Sequence, residues 1–370
     1  MPPAIPPARE LLHAAETLLI AAAGGIAFAL MGIPAGLVSG SVLAVAIAAL
    51  MGRPMKVPLA VTRVCFVMIG ILLGAIVSPE ALRGVATWPL SVALLALSTI
   101  CMIIVTTWYL RLVHGWDRLS AFLGASPGSM AQVLVLAAEF KADIQGIAIV
   151  QVIRVLLVTI GLPGGLALFG LAAGSVIAVP GPVGGSSFVE LMILIAVSVA
   201  TAALLMWLRF PGGLLFGAMA GSAILHGTGW VHAVLPWWLG SAAVLVVGAV
   251  AGSRFANTSP RVVLDYLGAA LGSFAVAISV ATVFVFLVTI FLPFRPADVV
   301  IAFAPGSQDQ MMLLALALHL DPVYVGAHHL SRWLVVTFSI AAFSRYFNRG
   351  RLKSPVPKPR KRRGETTFDD

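Results

Sequence analysis

Residues 127–159, "PGSMAQVLVLAAEFKADIQGIAIVQVIRVLLVT", align without a gap on residues 305–337, "PGSQDQMMLLALALHLDPVYVGAHHLSRWLVVT". Apolar coincidences carry little weight in so apolar a chain. The informative matches are Pro127 with Pro305, Gly128 with Gly306, Ser129 with Ser307, Gln132 with Gln310, Asp143 with Asp321, Arg154 with Arg332 and Thr159 with Thr337. Matches of this kind in one register argue for internal duplication. The register extends upstream, where "GIPAGLVSG" at 32–40 resembles "RFPGGLLFG" at 209–217, and Gly70 and Gly74 match Gly248 and Gly252. The chain therefore divides into two membrane repeats, 16–165 and 188–345. A Gly/Pro-rich linker, 166–187, joins them, between an N-terminal segment, 1–15, and a basic tail, 346–370.

Of the 370 residues, 60% are hydrophobic and 10% charged, with a mean hydropathy of +1.04. A soluble domain carries about 25% charged residues, so the composition is that of an integral membrane protein. Spanning the hydrocarbon takes about 20 apolar residues per helix, and such runs recur from near residue 11 to residue 347. A barrel would instead alternate over strands of about ten residues. The net charge of +9 does not by itself indicate nucleic acid, because nine Lys and Arg lie between Arg345 and Arg363, just past the last apolar run. That placement reads as a cytoplasmic flank, although such a run also attracts anionic lipid or nucleic acid. Cys65 and Cys101 both sit in apolar runs and suggest neither a disulfide framework nor a cysteine metal site. The N-terminal apolar stretch lacks a basic leader and is read as a retained first helix.

Each repeat holds six apolar segments, the fifth carrying Pro-Gly-Ser. If every segment spanned, the loop with Arg254 and Arg261 would face outward while the basic tail faced inward, against the positive-inside rule. If the fifth segments dip in and return, Arg53, Lys56, Arg63, Arg111, Arg118, Lys141, Arg209, Arg254, Arg261 and the tail all face the cytoplasm. The expected fold is thus an all-α polytopic membrane protein of two inverted repeats, each with five transmembrane helices and one re-entrant or broken helix, and with both termini cytoplasmic.

Non-helical backbone at membrane depth is tolerated only where protein or a water-lined cavity satisfies it. Two such breaks at related positions point to a central site of the secondary-transporter kind. Pro suits a helix start, Gly permits close approach of backbone, and Ser can cap. Each half-helix then aims its positive end at the membrane centre, where an anionic group can bind. The alternative is that Pro-Gly only kinks a spanning helix. Candidate solute-binding residues are Pro127, Gly128, Ser129, Gln132 and Arg154 in the first repeat. Their counterparts are Pro305, Gly306, Ser307, Asp309, Gln310, His328, His329 and Arg332 in the second. The two arginines are expensive within a membrane and read either as solute contacts or as ties to the loop carbonyls or to Asp309. The histidines read more readily as satisfied core residues.

The block "APGSQDQMMLLALALHLDPVYVGAHHLSRWLVV", with its Pro-Gly and "HHLSR", resembles the AbrB family of bacterial inner-membrane proteins over nearly the whole chain. This family is distinct from the soluble DNA-binding module that shares its name. The resemblance implies a duplicated inner-membrane domain, with two conflicting family labels, regulator of gene expression and ammonia monooxygenase. It also implies acidic residues where Gln132 and Gln310 stand, so the amides here weaken any proton-carrying role. Oxygen chemistry needs a metal or flavin site, and adjacent His328 and His329 are poor metal-ligand spacing, so the expectation is a non-enzyme without metal or cofactor. No helix-turn-helix segment stands outside the apolar runs. The expected partners are a small, anionic solute and the lipid bilayer, without direct nucleic-acid contact and with a homodimer left open. Carriage of that solute is favoured over membrane sensing without transport, with any effect on gene expression indirect.

The inverted arrangement makes a labelling prediction. Single cysteines near Lys56, Lys141 and Arg261 should react from the cytoplasmic side, and those near Trp230 and Leu320 from the outside. Labelling of the 141 and 320 loops from one face would refute it.

Overall fold

The computed structural model describes residues 8–77, 87–127, 130–171 and 188–352. These residues form helices α1 (Ala8–Leu30), α2 (Gly36–Leu50), α3 (Leu59–Ala75), α4 (Pro89–His114), α5 (Arg118–Ala125), α6 (Met130–Glu139) and α7 (Ile144–Leu168). After residues 172–187 come α8 (Phe188–Trp207), α9 (Gly213–Gly227), α10 (Trp237–Gly252), α11 (Pro260–Phe291), α12 (Pro296–Phe303), α13 (Gln308–Ala317) and α14 (Pro322–Leu352).

Long runs of Leu, Val, Ile and Ala propagate these helices, and Pro and Gly delimit them. Pro89, Pro260 and Pro296 each occupy a first helical turn, where the missing N–H is no loss. Helix α4 stops at Gly115, whose φ of 68° is the left-handed conformation that ends many helices. Ahead of α2 and α9, Ala35 and Gly212 are also left-handed, with φ of 51° and 66°.

Among the described residues six helices, α1, α4, α7, α8, α11 and α10 with its short extension to Phe255, are long and apolar enough to cross a membrane. Helices α2, α3 and α9 are shorter, at 15, 17 and 15 residues. At 1.5 Å per residue they reach only about 22–26 Å, against about 30 Å of hydrocarbon. They are largely buried between the longer helices.

Without a hydrophobic drive in lipid, helices associate by close van der Waals packing, which favours small residues at crossings. Gly70 and Gly74 of α3 lie directly against the α9 backbone at Leu215 and Met219 and against Ser222. Gly248 and Gly252 of α10 lie in the same way against Val38 to Ala46 of α2. Ser222 Oγ strengthens the first crossing by donating to Ile71 O at 2.8 Å. The two parts of the chain are therefore interlocked through reciprocal crossings rather than laid side by side. The largest buried cluster joins Ile69 and Leu73 of α3, Leu215 of α9, Val244 and Val247 of α10 and Met311 to Ala315 of α13.

A side chain added at either crossing should separate the backbones. Gly74→Leu and Gly252→Leu are expected to lower unfolding stability in detergent by about 1–3 kcal/mol, the usual cost of overpacking. Gly161→Leu, where a Cβ meets nothing within 4 Å, should stay within about 0.5 kcal/mol of the parent.

Candidate functional site

The Pro-Gly-Ser segments lie between pairs of short helices. Helices α5 and α6 have 8 and 10 residues, as do α12 and α13. At 1.5 Å per residue each is about 12–15 Å long, so none crosses a bilayer alone. The Asp143 N–H, just past α6, donates to Ser120 Oγ at the start of α5, at 2.9 Å. The Asp321 N–H, just past α13, donates in the same way to Asp298 Oδ1 in α12, at 2.9 Å. Entry and exit of each pair thus meet, and each pair is a hairpin.

These bonds also give the matched aspartates a role. Asp143 caps α7 by accepting from Gly146 N at 3.0 Å, and Asp321 caps α14 by accepting from Val323 N at 2.9 Å and Tyr324 N at 3.1 Å. Capping of this kind satisfies N–H groups that a helix start leaves free.

At the hairpin tips the problem is reversed, because α5 and α12 end inside the protein with their last carbonyls unpaired by the helix. The following helix supplies the donors. Arg154 Nη1 and Nη2 donate to Ala125 O and Ser126 O, both at 3.3 Å, and Gln151 Nε2 donates to Leu123 O at 3.1 Å. In the second hairpin Arg332 Nη2 donates to Ala302 O at 2.9 Å and Nη1 to Ala304 O. His329 Nε2 bonds Ile301 O at 3.1 Å, and since a carbonyl only accepts, that nitrogen carries the proton. Placing guanidinium groups at helix C-termini also matches the negative end of the helix dipole. Arg154 and Arg332 are only 5% and 3% exposed, yet the Nε of each has no hydrogen-bond partner among the described residues.

Both tips open on one cavity of about 600 Å³. Of the candidates, Pro127, Arg154, Gly306, Ser307, Asp309, His329 and Arg332 line it. Pro305 and Gln310 are buried nearby. Gly128 and Ser129 lie outside the described residues, as does the side chain of Gln132. His328 is held elsewhere, its Nε2 bonded to Ser91 Oγ at 2.8 Å and its Nδ1 to Tyr324 O at 2.8 Å. Ser307 is the N-cap of α13 but makes no capping bond, and its hydroxyl has no partner among the described residues, so the expected cap is not formed.

The cavity also recruits residues outside that candidate set, of which Arg209 and Arg254 were read only as loop charges. Arg209 and Arg254 add two cations, Gln151 and Gln308 add amides, and Phe66, Met206, Leu214, Leu215 and Trp333 form apolar wall. Arg209 has φ of 55°, in the turn between α8 and α9 that carries Pro211 and Gly212. Its position in the second "xxPxG" segment was the one available signal.

The chain matches the family described as transition state regulatory protein AbrB over residues 37–348. It belongs to that family. It is similar to YhjN of Bacillus subtilis (strain 168), with 26% identity over 356 residues, covering 89% of this chain and 91% of that protein. It is also similar to a protein of Escherichia coli (strain K12) named as a regulator, AbrB, with 25% identity over 342 residues, covering 87% and 93%.

The carbonyl ties change what removal of an arginine should do. Arg154→Leu orphans two buried carbonyls and Arg332→Leu one, Ala302 O, since Ala304 O also accepts from Gly306 N at 2.8 Å, at about 1–3 kcal/mol per unsatisfied group. Both should lower the thermal unfolding midpoint in detergent well below that of Leu334→Ala, at an exposed site. Unchanged midpoints would show that the ties do not hold the tips.

Proposed function

We propose that this AbrB-family protein is a secondary carrier of a small anionic solute, which binds in the cavity between the two hairpin tips. One observation carries the reading: Arg154, Arg209, Arg254 and Arg332 line the cavity, and Asp309 is the one carboxylate among its lining residues. An excess of fixed cations in a site with low-dielectric walls concentrates anions. The N-terminus of α13 opens at the same place, with N–H groups that no side-chain cap occupies.

In this reading the two parts of the chain are inverted repeats, each with five spans and one re-entrant hairpin. Support comes from the matching helix order, from the hairpin bonds at Ser120 and Asp298, and from the loop charges. Ten spans require α2, α3, α9 and α14 to cross with the six longer helices, with local thinning or flanking polar residues accommodating the short ones. Both termini are then cytoplasmic and the membrane is the bacterial inner membrane. Arg209 and Arg254 lie on the cytoplasmic side, so the cavity opens inward. Carriage, not a reaction, is assigned to the site. The partners are the solute and the bilayer, without direct nucleic-acid contact, and pairing of two copies stays open.

The test is binding followed by transport. A panel of small carboxylates, inorganic anions and ammonium is added to purified protein, since a ligand of the native state raises its unfolding midpoint. Anions should stabilise and ammonium should not. The double variant Arg209→Gln, Arg254→Gln should fold yet weaken the anion response, because it removes two of the four cavity cations without touching a hairpin tie. Labelled anion should then enter proteoliposomes containing the parent protein. Binding without transport would favour a membrane sensor, the role suggested by the name of the Escherichia coli relative. An unchanged anion response in Arg209→Gln, Arg254→Gln would remove the cavity from the reading.

A further inference from the structure

The cavity's unpartnered atoms narrow the class of solute. Arg154 Nε and Arg332 Nε are buried donors without acceptors, each on a guanidinium whose other nitrogens are fixed to hairpin carbonyls. Gln151 is only 2% exposed. Its Nε2 is engaged by Leu123 O, while its Oε1 has no donor among the described residues. All three side chains line the same cavity. A buried polar atom left unmatched costs about 1–3 kcal/mol. The bound solute therefore has to bring acceptors to the guanidinium groups and one donor to the amide.

A halide, sulfate or plain carboxylate supplies the acceptors only, and hydrogen phosphate or bicarbonate brings an O–H but no carbon skeleton to meet the apolar wall. An amino acid supplies a donor too, but its ammonium would sit beside two guanidinium groups. Against these and the cations of Arg209 and Arg254 the lining sets a single carboxylate, Asp309. A hydroxyl donates without adding charge. The apolar wall of Phe66, Leu215 and Trp333 accommodates a carbon skeleton beyond the polar end. We propose that the solute is a small hydroxycarboxylate, its carboxylate held at the Nε groups of Arg154 and Arg332 and its hydroxyl donating to Gln151 Oε1. This assignment rests on the carrier reading of the cavity.

The experiment compares matched acids on the full-length protein in nanodiscs by calorimetry. Lactate, propionate and alanine form one series, and mandelate, phenylacetate and phenylglycine a larger one. The hydroxy acid of at least one series should bind about tenfold tighter than its plain acid, as expected for one satisfied buried acceptor, and tighter than its amino acid. Gln151→Met is close to the amide in length and removes its acceptor together with the donor to Leu123 O. In that variant the preference for hydroxy over plain acid should fall to within about twofold. Equal binding of hydroxy and plain acids, tighter binding of the amino acids, or a preference that survives Gln151→Met would overturn the assignment while leaving the carrier reading intact. Absence of any acid binding would overturn both. The ratios in the parent protein decide the matter even if the variant does not fold.

Discussion

A helix that ends inside an apolar protein leaves its last carbonyls with nothing to accept from, and lipid cannot supply a donor. In this protein α5 and α12 both end that way, and Arg154 with Gln151, and Arg332 with His329, answer them from the neighbouring helix. The rest of the central architecture follows from those ties. They fix each hairpin tip against α7 or α14, and so set where the Pro-Gly segments can lie. They also explain why a costly cation persists at membrane depth: each guanidinium has two buried carbonyls to satisfy before any solute is considered.

The glycine crossings place the two tips together. Because α3 packs on α9 and α10 on α2, neither part of the chain can close a core without the other. Met311 to Ala315, in the helix that follows the second tip, pack into the cluster made by those crossings. The cavity is then the space between two fixed tips, walled by residues of both tips, of helices α3, α7 and α14 and of the α8–α9 turn.

Much of this was legible in the sequence. The matched Pro-Gly-Ser segments, Asp143 and Asp321, and Arg154 and Arg332 marked the hairpins before any coordinates, because unusual backbone and buried charge are conspicuous in an apolar chain. Their roles were less legible. Spacing put Arg332 and the adjacent histidines near one another, but only the fold shows that His329 faces Ile301 O while His328 turns to Ser91 and Tyr324. Arg209 and Arg254 read as topology markers at loop positions, and their contribution to the cavity depends on tertiary packing that no local pattern encodes.

Comparison of matched positions separates scaffold from chemistry. Arg154 and Arg332 share one residue type and one task, as do Asp143 and Asp321. The cavity-lining positions beside them differ: Met130 stands opposite Gln308, Gln151 opposite His329, and Val155 opposite Trp333. If the arginines alone specified the solute, both tips would bind alike, since both present the same free Nε. On the carrier reading, polar selectivity instead comes from residues the two tips do not share, with Gln151 on one side and Gln308 and Asp309 on the other. In that reading the arginines provide charge and hold the tips in place, and the unmatched residues around them decide what that charge retains.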